Sequence, residues 1–148
     1  MRYNLTMRKI GIDYGLTRIG IAVSDPTGII ASPREVYERA TELEDLAYIR
    51  ALIRREEADA VIFGLPLNMD GTESNMSRLV RTFAGQLKAD VKIHFFDERW
   101  SSVQSQRYLD DLNSGDRKDR RAADAKKRQA VDKIAAQIIL QAFLDSEK

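Results

Sequence analysis

Two turn signals close together in the first 30 residues constrain the fold most, because they make the chain double back twice. Lys9-Ile-Gly-Ile-Asp-Tyr14 has the pattern of a short strand and ends in a turn at Gly15-Leu-Thr-Arg18. Ile19-Gly-Ile-Ala-Val-Ser24 follows at hairpin distance as a second strand. Asp25-Pro-Thr-Gly28 is a second turn, since proline presets φ and glycine tolerates positive φ. A third strand then fits within Ile29 to Tyr37, with Pro33 favouring an edge position. The chain is therefore expected to open as an antiparallel three-strand meander.

After the meander the hydrophobic period changes. Thr41-Glu-Leu-Glu44 has capping-box spacing, and Leu46, Ile49 and Ile53 continue a helical stripe. Ala60-Val-Ile-Phe-Gly64 is a continuous apolar run, the signature of a strand covered on both faces. A loop to Asn75 leads to a helix carrying Met76, Leu79, Val80, Phe83 and Leu87. Val91 to Phe96 reads as a further buried strand, followed by a helix with Val103, Leu109 and Leu112 inward. A last helix is expected from about Arg128 to Asp145. Helices joining the later strands imply right-handed parallel crossovers. The expected fold is thus α/β: a mixed five-stranded sheet, three strands antiparallel and two parallel, with helices on its faces. At 148 residues it suits one domain, 1–148, with a flexible N-terminus at 1–7 and a mobile loop at about 113–127.

Composition narrows the function classes. Cysteine is absent, which removes disulfide frameworks and thiolate metal sites and is compatible with a reducing cytoplasm. No apolar run approaches the ~18 to 20 residues needed to cross a bilayer, and the start lacks a signal-peptide pattern, so no membrane partner is expected. The net charge is only +1. Residues 117–128 nevertheless hold seven basic and two acidic side chains, leaving −4 for the remainder. Such a block suits a phosphate backbone, or a solvated loop.

Three acids stand out against apolar surroundings. Asp13 alternates away from Ile10, Ile12 and Tyr14 near a strand end, where open α/β sheets collect ligands. Asp97-Glu98 ends a later strand similarly, and one of the two acids reaches past the sheet edge; the two sites meet if their strands are parallel neighbours. On a helix, Asp132 shares a face with Ala135, Ala136 and Ile139, either as a cap or buried ion pair or as a group aimed at a site on the sheet. If the acids converge, two ionised carboxylates ~5 Å apart repel by roughly 3 kcal/mol at an effective dielectric of ~20. A cluster of three must protonate or bind a cation. Oxygen ligands favour Mg²⁺ or Mn²⁺, and a pair of such ions suits phosphodiester hydrolysis.

The segment Gly11-Ile-Asp-Tyr-Gly-Leu-Thr-Arg-Ile-Gly-Ile-Ala-Val-Ser-Asp25 resembles the opening of the YqgF/RuvX proteins. Gly64 to Ser74, Asp97-Glu-Arg99 and Val131-Asp-Lys-Ile-Ala-Ala136 match that family's later motifs in order. The resemblance implies an RNase H-like fold related to Holliday-junction resolvases, and a nuclease maturing the 5′ end of pre-16S ribosomal RNA. It places the catalytic, metal-holding acids on Asp13, Glu98 and Asp132, with Asp97 as the fallback. The family's usual Asp-Glu-Arg-Leu-Thr-Thr reads here Asp97-Glu-Arg-Trp-Ser-Ser102, which keeps hydroxyls at Ser101 and Ser102 but introduces Trp100.

Candidate contacts to nucleic acid surround these acids. Arg18 is a phosphate ligand or a solvated turn residue, and Arg99 a substrate contact or the partner of a core carboxylate. Asn68 lies in a loop that offers backbone N–H groups to a phosphate or is simply a shaped turn with a Ser or Asn helix cap. Ser101 is a cap or a phosphate contact, while Lys126, Lys127 and Arg128 offer salt-dependent backbone attraction. His94, between Ile93 and Phe95, reads as structural. The expected partner is structured RNA, or else branched DNA, with oligomeric state open between monomer and homodimer. The rivals are a Holliday-junction DNA resolvase, a non-catalytic binding factor in transcription or ribosome assembly, and one lobe of an actin-like ATPase.

Overall fold

The computed structural model describes residues 6–100 and 121–147, with side chains from 131 onward in the second stretch. Strands β1 (Lys9–Tyr14), β2 (Arg18–Ser24) and β3 (Ala31–Glu38) form the antiparallel meander. Strand β4 (Ala60–Leu65) pairs parallel with β1, and β5 (Lys92–Asp97) pairs parallel with β4. The sheet order is β3-β2-β1-β4-β5. Pro33 lies on the edge strand β3, as expected of a residue without an N–H to give to the ladder. The β2–β3 register shifts between Ile21 and Ala22, so the strand bends there.

Every residue of β4 is buried, as its unbroken apolar run requires of a central parallel strand. By contrast, β5 is an edge strand and only partly covered, not the buried strand expected. Among the described residues only β4 pairs with it, and Phe95 remains 37% exposed beneath the Arg81 guanidinium.

Helix α1 (Glu42–Glu56) begins at Thr41, whose hydroxyl accepts the Glu44 N–H at 3.2 Å. Helix α2 (Asn75–Gly85) begins with a capping box between Ser74 and Ser77. Leu46, Ile49, Leu52 and Ile53 from α1 and Val80, Phe83 and Ala84 from α2 pack on one sheet face, over Ile10, Ile12, Ile21 and Phe63. Leu79 turns outward instead, 44% exposed.

Helix α3 (Arg121–Ser146) covers the other face. It is already helical from Arg121 rather than from near Arg128, because Arg121-Ala-Ala-Asp-Ala-Lys-Lys-Arg128 is rich in strong helix formers. Residues 121–127 are therefore helical, not loop. Ala135, Ala136, Ile139, Leu140, Phe143 and Leu144 form its buried side against Ala22, Ala60 and Ile62. At the N-terminal end, Thr6 donates to the Glu57 carbonyl at 2.7 Å and Met7 N–H to the Pro26 carbonyl at 2.8 Å, so these two residues of the expected flexible segment are tied down. The expected helix carrying Val103, Leu109 and Leu112 lies outside the described residues, as does the rest of the basic block, 117–120. Among the described residues no helix is long and apolar enough to cross a membrane.

Candidate active site

Side-chain alternation puts Gly11 and Asp13 of β1, Gly20 and Ala22 of β2, and Ile62 and Gly64 of β4 on the α3 face. The helix sits unusually close to this face because three of these residues are glycine. A Cβ on Gly11 would lie 2.6 Å from Leu140 Cβ and 2.9 Å from the Ala136 carbonyl oxygen. One on Gly20 would lie 2.2 Å from the Asp132 carbonyl oxygen. Asp132, Ala136 and Leu140 are spaced four apart, so one helix stripe runs down onto the glycines.

Asp13 pairs in register with Gly20 on β2. On its other side Ile12 pairs with Phe63, which brings Asp13 level with Gly64 of β4. Over Gly64 sits the carboxylate of Glu98: a Cβ there would meet Glu98 Oε1 at 2.5 Å and Ile139 Cδ1 at 2.5 Å. The three acids thus occupy adjacent positions across the sheet, with Asp132 above Gly20, Asp13 between, and Glu98 above Gly64. Neighbouring strands lie ~4.8 Å apart. Strands β1 and β5 are parallel but not neighbours, contrary to the simplest expectation; the missing side chain at Gly64 lets Glu98 lean across β4. Asp13 is 6% and Glu98 2% exposed, so both carboxylates are withdrawn from bulk water.

Asp97 is placed differently. It accepts from Arg99 Nε at 3.1 and 3.0 Å, from Arg99 Nη2 at 2.7 Å and from the Arg99 N–H at 3.0 Å. These bonds, led by the guanidinium, hold its carboxyl below the ordinary range, and the same pairing raises Arg99. Arg99 also donates to the Met69 carbonyl at 3.1 Å, closing the end of β5 onto the β4–α2 loop. Of its two expected roles, the structure displays the carboxylate pairing.

Asp132 likewise has a partner: Arg18 Nε donates to its Oδ2 at 2.9 Å. Arg18 opens β2, and both side chains remain partly exposed, at 29% and 21%. The ion pair foreseen for Asp132 therefore exists, and its partner is the arginine singled out as a phosphate ligand. Among the described residues no three acidic or imidazole side chains already converge on one point. The donor set nevertheless fits a hard divalent cation. It consists of carboxylate oxygens only, from two buried side chains on one face and from Asp132, which is paired with Arg18.

The remaining candidates divide between scaffold and surface. Asn68 donates its amide to Thr72 Oγ1 at 2.9 Å and to the Glu73 carbonyl at 3.2 Å, shaping the loop. The N–H groups of Asn68, Gly71 and Thr72 are likewise engaged within that loop, and Gly71 takes φ +88°. Lys126, Lys127 and Arg128 lie on α3 about a turn ahead of Asp132. Ser101 lies outside the described residues. The His94 ring packs 5.0 Å from that of Phe143, a structural contact between β5 and α3. Sequence reasoning missed Gly20 and Gly64 as spacers, although a glycine inside a strand pattern signals close approach.

Comparison with known proteins accords with this geometry. The RuvX family, described as "Holliday junction resolvase", matches residues 7–146. A protein of Anaeromyxobacter dehalogenans is 41% identical over 141 residues, 94% of this chain and 97% of its own length. Another, from Anaplasma marginale, is 39% identical over 143 residues, 95% of this chain and 86% of its own length. Both bear the name "Putative pre-16S rRNA nuclease". Among solved structures, T. thermophilus RuvC in complex with a Holliday junction substrate aligns at TM-score 0.55 and 13% identity, covering 95% of each chain. The Fowlpox virus resolvase with Holliday junction DNA aligns at TM-score 0.56 and 13% identity, covering 95% of this chain and 99% of that one. These resolvases share the RNase H-like fold with this chain. By the family match over nearly its whole length and by these relatives, the chain belongs to the RuvX family.

Proposed function

We propose that this chain is a divalent-metal-dependent endonuclease acting on structured nucleic acid, and that its substrate is the 5′ end of pre-16S ribosomal RNA in the cytoplasm. The observation that carries the reading is the row of acids across three adjacent strands, with buried Asp13 between Glu98 and Asp132. Asp13 is the central ligand, fixed by strands on both sides, and Glu98 and Asp132 flank it. Two bound Mg²⁺ or Mn²⁺ ions would supply an activated water and charge for the leaving oxygen. With water as the attacking group, no covalent nucleophile is required of the chain. Once Asp132 turns to the cluster, Arg18 is released toward a phosphate at the same sheet edge. Lys126, Lys127 and Arg128, with Arg99 at the other margin, add charge for the backbone of the substrate.

The test is Asp13→Asn. Mg²⁺- or Mn²⁺-dependent cleavage should fall to background while the unfolding midpoint stays equal or rises, because a charge has left an acidic cluster. Undiminished cleavage would sink the assignment. A second reading, resolution of branched DNA, is favoured by the family description and by the fold shared with junction-bound resolvases. Cleavage of a precursor rRNA fragment against a synthetic four-way junction, under identical ions and salt, separates the two.

A further inference from the structure

Trp100 is the chain's single tryptophan and is 76% exposed. It closes the 3₁₀ turn Glu98–Trp100, only two residues beyond Glu98, at the sheet edge that carries the acids. An indole this open offers a large apolar face for stacking, and its place two residues from a catalytic candidate is what singles it out. It has one neighbour of opposite character: the Arg99 Cζ lies 6.0 Å from the ring centroid. Arg99 is itself clamped between Asp97 and the Met69 carbonyl. The ring is thus set against a held guanidinium, whose other contact is the backbone of the 82% exposed Met69.

We propose that Trp100 is a stacking platform for an unpaired nucleobase adjoining the scissile phosphate, with Asp97 and Arg99 as its positioning residues. The inference rests on the nuclease reading above and adds a substrate class to it. In a continuous duplex the base faces are already occupied by their neighbours, whereas a single strand or a branch point presents one. Stacking is tolerant of base identity because every base has a π face. A ring whose orientation is preset gives up little freedom when the base arrives. Continuity with the acidic site and the nearby cations favours nucleic acid over a protein partner.

The test uses the full chain carrying Asp13→Asn, so that substrate is not consumed. Labelled single-stranded RNA and a blunt duplex of the same sequence are followed by anisotropy while tryptophan emission is recorded. Single-stranded RNA should quench the emission as it binds, and duplex should do so weakly. Adding Trp100→Ala should weaken single-strand binding by roughly 5- to 150-fold. Trp100→Phe should recover most of that loss, and duplex binding should change little in either variant. Binding with unchanged emission, or equal affinity after Trp100→Ala, overturns the platform and leaves the nuclease reading standing. If neither nucleic acid binds, both fall. A self-associating protein whose dimer disappears with Trp100→Ala would make the indole a contact between copies and would likewise overturn the proposal.

Discussion

Alanine at position 20 would add one methyl group where β2 and α3 come closest. Its Cβ would stand 2.2 Å from the Asp132 carbonyl oxygen and 2.8 Å from the carbonyl carbon. Ordinary contact begins at 3.4 Å, so the oxygen is 1.2 Å too near. The obstructing atoms are helix backbone and cannot swing aside like the tip of a side chain. Either α3 lifts off the sheet or β2 bows away from it. Overpacking of this kind costs about 1–3 kcal/mol, which for a chain of this size lowers Tm by roughly 3–12 °C. The same shift separates Asp132 from Asp13, which lies 3.5 Å from the added atom. A displacement of ~1 Å in a reacting constellation can reduce turnover about 100-fold. Gly20→Ala should therefore impair stability and cleavage together while retaining all three acids. Urea unfolding followed by circular dichroism gives the first quantity, and initial cleavage rates the second. Gly85→Ala is the control: nothing lies within 4 Å of the added Cβ, and replacing an exposed helical glycine should stabilise by about 0.5–1 kcal/mol. A Gly20→Ala protein with the parent's midpoint and rate would refute the close seating of α3 on this strand.

Two further predictions concern a buried and a half-buried polar group on the opposite face. Burial alone would raise the Asp45 carboxyl, but the Ala40 N–H and Arg39 Nε, both at 2.9 Å, together with Tyr37 hold it below its ordinary range. Its contribution to stability is present above the unfolded pKa of ~3.9 and lost as pH falls through the folded value. Asp45→Ala should cost about 3–5 kcal/mol in urea unfolding at neutral pH, and Asp45→Asn should flatten the decline below pH ~4. Burial, with the hydrogen bond to Glu35, pushes the Tyr48 hydroxyl up to about 12. The stability it contributes is present below the unfolded pKa of ~10 and lost as pH rises through about 12. Tyr48→Phe should remove that alkaline loss and the highest-pH step in phenolate absorbance; an unchanged titration would contradict the assignment.

Much of the fold was legible from residue order. The meander follows from two turns whose residues preset or tolerate their own backbone angles. The interior place of β4 follows from five apolar residues in a row. Both signals are local, since neighbouring positions report the same structure. The acid cluster was legible only in part. Asp13 announced itself by alternation, but choosing Glu98 over Asp97 required the family match, because adjacent residues on a strand face opposite ways and the sequence does not say which face carries α3. Structure shows Glu98 over Gly64 and Asp97 folded onto Arg99.

Among the described residues, the sequence by itself determined the five strands and the helices α1, α2 and α3, their order and the acidic character of one sheet edge. Tertiary structure alone decided that β5 is an edge strand, that Glu98 reaches across β4, and that Arg18 holds an aspartate 114 residues away. The reason is the range of the physics involved. Turns and periodicity are set by dihedral angles and side chains a few positions apart. The site depends on how closely a helix and a sheet approach, and that distance is set by three glycines whose partners are distant in the chain.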